Sequence, residues 1–190
     1  MNNKKILILA GASWSWKDTL KNKIEENLWY KNLISTTTRN KREGEKNDIH
    51  YKFIDRIEFE NKIENNEFIE FALFNDNYYG KQVIDLNKLL INNYNVITIL
   101  ETHWVKNILK YKDNFINKWY DLNIVFLDIS KETIKNRMLK RWDNIIDIEK
   151  RLNNNDYEYF QELKDIADII LNADNSPELL YNDLILKLDL

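Results

Sequence analysis

Residues 10–19 read Ala10-Gly11-Ala12-Ser13-Trp14-Ser15-Trp16-Lys17-Asp18-Thr19, directly after an apolar run, Ile6-Leu7-Ile8-Leu9-Ala10, and ahead of a polar segment of helical composition. Small residues between a buried strand and a helix let successive backbone N–H groups converge on an anion at the helix N-terminus. The stretch therefore reads as a phosphate-binding loop made of Gly11, Ala12, Ser13, Trp14, Ser15, Trp16, Lys17, Asp18 and Thr19. Lys17 is its cation for the outer phosphates, and Thr19 its hydroxyl nearest the usual magnesium position. Two features break the pattern. Asp18 fills the slot where a hydroxyl normally follows the lysine, and Trp14 and Trp16 put indole rings where phosphates need room.

Outward from the loop, apolar strands alternate with amphipathic segments. Strands are predicted at 5–10, 33–37, 48–54, 67–74, 95–100, 123–129 and 169–172. Helices are predicted at 17–28, 57–65, 84–91, 104–111, 131–141 and 148–167. A last helix is capped by Ser176 with Pro177 at its first position. Strands 5–10 and 123–129 are apolar throughout, as in a parallel sheet covered on both faces. The expected fold is α/β, a parallel sheet flanked by crossover helices, with an inserted lobe of more alternating strands.

With 190 residues the chain fits one domain. It has no cysteine, which excludes disulfides and thiolate chemistry. No apolar run approaches the roughly 20 residues of a membrane span, and the N-terminus lacks a signal-peptide pattern. A net charge of −3 argues against a nucleic-acid partner. The expectation is a cytoplasmic protein with small-molecule substrates and no obligate protein partner. Glycine is scarce, three residues where usage of about 7% would give roughly 13.

Downstream motifs narrow the reading. Ser35-Thr36-Thr37-Thr38-Arg39, Arg42-Glu43-Gly44-Glu45 and Asp48 to Tyr51 closely resemble the substrate-binding segment of guanylate kinases. Asn66-Glu67-Phe68-Ile69-Glu70 and Asn77-Tyr78-Tyr79-Gly80 resemble two further hallmarks of that family, at matching separations. The resemblance runs from the loop to about residue 152. It implies a P-loop kinase with a core (1–34, about 95–130 and 168–190), a GMP-binding lobe (about 35–94) and a helical lid (about 131–167).

It further implies ATP-dependent phosphorylation of GMP with Mg2+. Arg39 and Arg42 would grip the GMP phosphate, and Tyr51 and Tyr79 would donate hydroxyls to it. Ser35, Glu70 and Glu101 would read the base. A carboxylate accepts from guanine's N–H groups and repels the bare ring nitrogen of adenine. Lys81 stands where the family has Ser or Thr beside the base. Arg137, Arg141 and Arg151 fall where the family's lid arginines close on ATP; with Lys17 and Arg39 they supply the positive charge that phosphoryl transfer needs. The alternatives are an inactive guanylate-kinase-like binding module and a related kinase for a sugar phosphate.

Against the same pattern, Trp14, Trp16, Trp104 and Trp142 stand at expected glycines. Trp29 stands where a helix favours a terminal glycine, and Trp119 lies in a polar turn. One replacement residue at so many glycine sites fits a codon read under the wrong genetic code, since UGA encodes glycine in some lineages and tryptophan in others. The expected native loop is Gly-Ala-Ser-Gly-Ser-Gly-Lys-Asp-Thr.

Overall fold

The computed structural model describes residues 4–100, 105, 120–141, 144–152 and 156–189. In chain order the elements are β1 (Lys4–Gly11), α1 (Lys17–Leu28), β2 (Lys31–Asn32), β3 (Thr36–Thr37), β4 (Lys52–Phe53), α2 (Arg56–Glu64), β5 (Phe68–Phe74), β6 (Asn77–Gln82), α3 (Val83–Ile91), β7 (Val96–Ile99), β8 (Tyr120–Asp128), α4 (Lys131–Lys140), α5 (Ile145–Leu152), α6 (Asp156–Ile166), β9 (Ile169–Asn172) and α7 (Pro177–Lys187).

Among the described residues, five strands form a parallel sheet in the order β2-β7-β1-β8-β9. The unbroken apolar run of β1 has a direct cause. Leu7 and Leu9 enter one core, with Leu20 and Ile24 of α1, Val125, Leu127, and Leu180 and Leu184 of α7. Ile6, Ile8 and Ala10 enter a second core on the opposite face, with Val96, Ile124, Phe126 and Leu163. A strand whose alternate side chains are all buried needs apolar residues at every position. Helices on both faces make this the expected α/β fold.

A second sheet runs β4-β3-β6-β5. Strands β5 and β6 form a hairpin around Asn75 and Asp76, both with positive φ, which these two residue types tolerate. Phe59 of α2 stacks on Phe68 and Tyr78, 4.3 and 5.1 Å between ring centroids, and covers one face of this sheet. Gly80 lies beneath that stack. A Cβ there would come within 2.8 Å of the Phe68 ring and 2.9 Å of the Glu70 carbonyl.

The structure corrects several predicted elements. Segment 33–37 holds only β3, and the neighbouring β2 pairs in the other sheet. Segment 48–54 keeps two strand residues, because Asp48 has a φ of 59° and the amides of Ile49 and His50 turn back onto the Lys46 carbonyl. The single helix expected over 148–167 is the pair α5 and α6. The expected helix at 104–111 falls outside the described residues except for Val105, which is helical and buried. No helix among the described residues is long and apolar enough to cross a membrane.

Candidate active site

The loop leaves β1 at its carboxyl end, between β7 and β8. Gly11 is required there: a Cβ would meet the Leu127 carbonyl oxygen at 2.6 Å. The buried Ser15 donates its hydroxyl to the Ala12 carbonyl at 2.8 Å. The Lys17 ammonium donates to the carbonyls of Gly11 (2.8 Å) and Ala12 (2.7 Å), so it lies over the loop that it would serve. Asp18 and Thr19 are exposed in the first turn of α1.

Trp14 and Trp16 hold left-handed backbone, with φ of 71° and 69°, and Trp29 closes α1 with φ 59°. These are all the tryptophans among the described residues; Trp104, Trp119 and Trp142 lie outside them. The remaining described non-glycine residues with positive φ are Asp48, Asn66, Asn75, Asp76, Asn93 and Asp189. All of those are Asn or Asp, the types that tolerate this conformation; the tryptophans sit where glycine is the natural choice.

Two of the arginines expected in a lid, Arg137 and Arg141, meet these indoles. Arg137 lies 4.5 Å from the Trp16 ring centroid, and Arg141 4.5 Å from that of Trp14. Arg137 also donates to the carbonyls of Trp14 (2.6 Å) and Ala173 (2.8 Å). It thereby ties α4 to both the loop and the turn after β9. Asp174 in that turn accepts from the backbone and hydroxyl of Ser130, the residue that caps α4. Arg151 lies in α5, and its side chain is outside the described set.

The second cluster lies on the face of the β3–β6–β5 sheet away from Phe59. Thr37 pairs with Tyr79 and Glu70 with Lys81, and alternation places these four on one face. At one end Arg39 packs 5.3 Å from the Tyr51 ring and 5.7 Å from the Phe53 ring. Tyr51 and Tyr79 approach to 6.1 Å. Glu45 accepts from Arg39 at 2.8 and 3.0 Å and from the backbone of Arg42 at 2.8 Å. The Arg39 guanidinium holds the Glu45 carboxyl down at about 2. Burial pushes the Tyr51 phenol up, so that it keeps its proton and can donate. The Arg42 side chain is exposed beside this end.

The other end is the buried pair Glu70 and Lys81, each 4% exposed. The register slips between Phe68 and Glu70, a bulge that re-aims the following carboxylate. Glu70 Oε2 has no hydrogen-bond partner. Lys81 donates to the Leu33 carbonyl at 2.7 Å. Burial raises the Glu70 pKa and lowers that of Lys81, each opposed by the other's charge. Ser35 lies half-buried one residue before β3, and Glu101 lies outside the described residues.

Arg39, Tyr51 and Tyr79 thus come together, with Glu70 and Lys81 farther along the same face. Glu45, quoted within its motif but given no role, and Phe53, not singled out from the sequence, pack against Arg39. Asp174, not singled out either, holds the cap of α4. Glu45 had a usable signal, a carboxylate three residues after Arg42; the other two are joined to the site only by folding.

The guanylate kinase family model matches residues 3–182. A guanylate kinase of Mycoplasmopsis pulmonis is 42% identical over 147 residues, 74% of this chain and 72% of that protein. One of Helicobacter pylori is 34% identical over 176 residues, 91% of this chain and 82% of that protein. Guanylate kinase from Anaplasma phagocytophilum, a crystal structure, superposes with a TM-score of 0.68 over 100% of this chain and 86% of its own, at 22% identity. The chain belongs to the guanylate kinase family.

Proposed function

We propose that this protein transfers the γ-phosphoryl group of ATP to GMP, giving ADP and GDP. The observation that carries this is the single sheet face with two chemically distinct ends. Arg39, Tyr51 and Tyr79 offer donors to a phosphate, and Glu70 offers a buried, unpartnered carboxylate oxygen to the N–H edge of a guanine. The names of the relatives support the same substrate. In this reading Arg42 adds charge at the phosphate, and Ser35, Lys81 and Glu101 line the base. Loop residues 11–19, with Lys17, take the ATP phosphates. Arg137, Arg141 and Arg151 bring the lid's charge to the transferring group. The acceptor is already an ionised phosphate, so the reaction needs no general base.

Magnesium fits this site. Exposed Thr19 and Asp18 stand beside the loop, two oxygen-bearing side chains in the first turn of α1. That suits an ion carried mostly by water and substrate phosphates. When bound, it neutralises charge on the transferring phosphoryl. Substrates of this kind support a cytoplasmic location.

We infer also that the native protein carries glycine at positions 14, 16, 29, 104, 119 and 142. The left-handed backbone at Trp14, Trp16 and Trp29, a conformation natural to glycine, supports this. The codons decide it: UGA at these positions is expected, and UGG would sink the idea. For function, ADP release is measured with GMP, AMP and ribose phosphates on the protein as written and on the W14G/W16G variant. Turnover of GMP by the glycine form alone is expected. Silence from both forms would favour a binding module, and preference for a ribose phosphate would favour the sugar-phosphate alternative.

A further inference from the structure

Lys81 departs from the family's hydroxyl, and the structure shows where its charge goes. It stands directly across the β5–β6 ladder from Glu70, so both side chains leave the sheet on the same face. Both residues are buried. The Lys81 ammonium is anchored by the Leu33 carbonyl, which also accepts from Thr98 Oγ1 at 3.2 Å. Glu70 Oε2 has no hydrogen bond to stabilise a negative charge. Burial raises the Glu70 pKa and the Lys81 charge opposes it; burial lowers that of Lys81, opposed by Glu70 and reinforced by Lys21 of α1.

A buried carboxylate without a hydrogen-bond donor or a cation takes up a proton. The consequence for recognition is a change of sign. An ionised Glu70 accepts from the ring N–H and amino group of guanine. A protonated Glu70 donates, and its natural partner is the bare ring nitrogen of adenine. We propose that Lys81 is a specificity-determining positioning residue whose anchored ammonium keeps the Glu70 carboxylate ionised, so that the pocket accepts a purine edge that donates and refuses one that accepts. A family hydroxyl at this position would bring no charge to do so. The inference rests on the reading that the base of GMP meets Glu70.

Equilibrium dialysis of labelled GMP and AMP tests it, because it needs no competent ATP loop. The parent protein should favour GMP by on the order of 100-fold, the discrimination available when a mismatched base leaves buried polar groups unpaired. In K81M the ratio should fall about tenfold or more near pH 8, where the parent's Glu70, raised to about 7, is ionised, and recover as pH rises further and the carboxyl ionises unaided. The smaller K81T variant, which restores the family hydroxyl, should show the same pH-dependent loss, and K81R should keep the parental ratio. The Glu70 carboxyl carbon, followed by NMR in 13C-labelled protein, should titrate at higher pH in K81M than in the parent. Parental ratios and an unshifted titration in both K81M and K81T overturn the inference while leaving the base site intact. Equal binding of the two nucleotides by the parent, or an E70Q variant that keeps the full ratio, overturns the base reading itself.

Discussion

Trp29 closes α1 with a φ of 59° and 82% of its surface exposed. Its indole gains little from burial, while the left-handed backbone costs an L-residue about 1–2 kcal/mol. W29G should therefore raise stability by about 1 kcal/mol, or about 2–4 °C for a chain of this size. W29A separates the causes, because alanine removes the ring and keeps the strain. Denaturation midpoints of both variants check this; an equal gain in W29A would assign the effect to the ring. Residue by residue, the grouping of several candidate site residues was legible. Arg39, Tyr51, Glu70 and Tyr79 were found because spaced motifs preserve chemistry that the fold brings together. Glu45 was passed over because a glutamate in a polar loop looks solvated until Arg39 is seen lying on it. The buried state of Lys81 was equally hidden, since a lysine's sequence position says nothing of a carbonyl 48 residues away.

In the proposed reading, base recognition depends on the hairpin β5–β6, and Gly80 is closely packed within it. A methyl at Gly80 would press on the Phe68 ring and the Glu70 carbonyl. The carbonyl cannot move without moving Glu70. G80A should cost about 1–3 kcal/mol of stability, the usual range for overpacking, and should weaken GMP binding more than ATP binding. Calorimetry with each nucleotide on W14G/W16G proteins, with and without G80A, checks the asymmetry. Equal weakening of both nucleotides would mean that the damage is global. Elements with strong periodicity were readable: α1 is found at 17–28 as predicted, and both fully apolar strands lie in the parallel sheet. Strand β6 escaped notice because Asn77-Tyr78-Tyr79-Gly80-Lys81-Gln82 has no apolar alternation; its partners and the packing of Phe59 make it a strand. The strand expected at 33–37 shrank to β3, and β2 at 31–32 was missed, because sequence cannot show a chain changing sheets between 32 and 36.

At the scale of the whole molecule, the two sheets meet through Lys81, a side chain from β6 held by a carbonyl just past β2. That makes the charge state of the pocket a property of global stability. Burial raises the Glu70 pKa above its ordinary 4.5, so the native state keeps a proton that the unfolded chain has released. Stability therefore falls as pH rises from about 4.5 through the native value. Lys81 is shifted below its ordinary 10.5, so at high pH the unfolded chain holds the extra proton, and stability is regained as pH climbs from the native value toward 10.5. The pair is thus most costly at neutral pH, where both groups are charged. Glu45, held at about 2 by Arg39, has the opposite sign: its stabilisation is present above the ordinary carboxylate range and is lost as pH falls through about 2. Comparing the parent with E70Q/K81M cancels the Glu45 contribution, which both proteins share. The double variant should gain on the parent by on the order of 2 kcal/mol near pH 7.5, with the gap narrowing toward pH 4 and pH 11. Saturating GMP should close part of the neutral gap in the parent alone, because its N–H groups satisfy the Glu70 oxygen that folding leaves unpartnered. Melting curves across this range, with and without GMP, test both parts. A gap that is flat with pH would mean that Glu70 and Lys81 do not titrate inside the fold, and a gap untouched by GMP would mean that the base lies elsewhere.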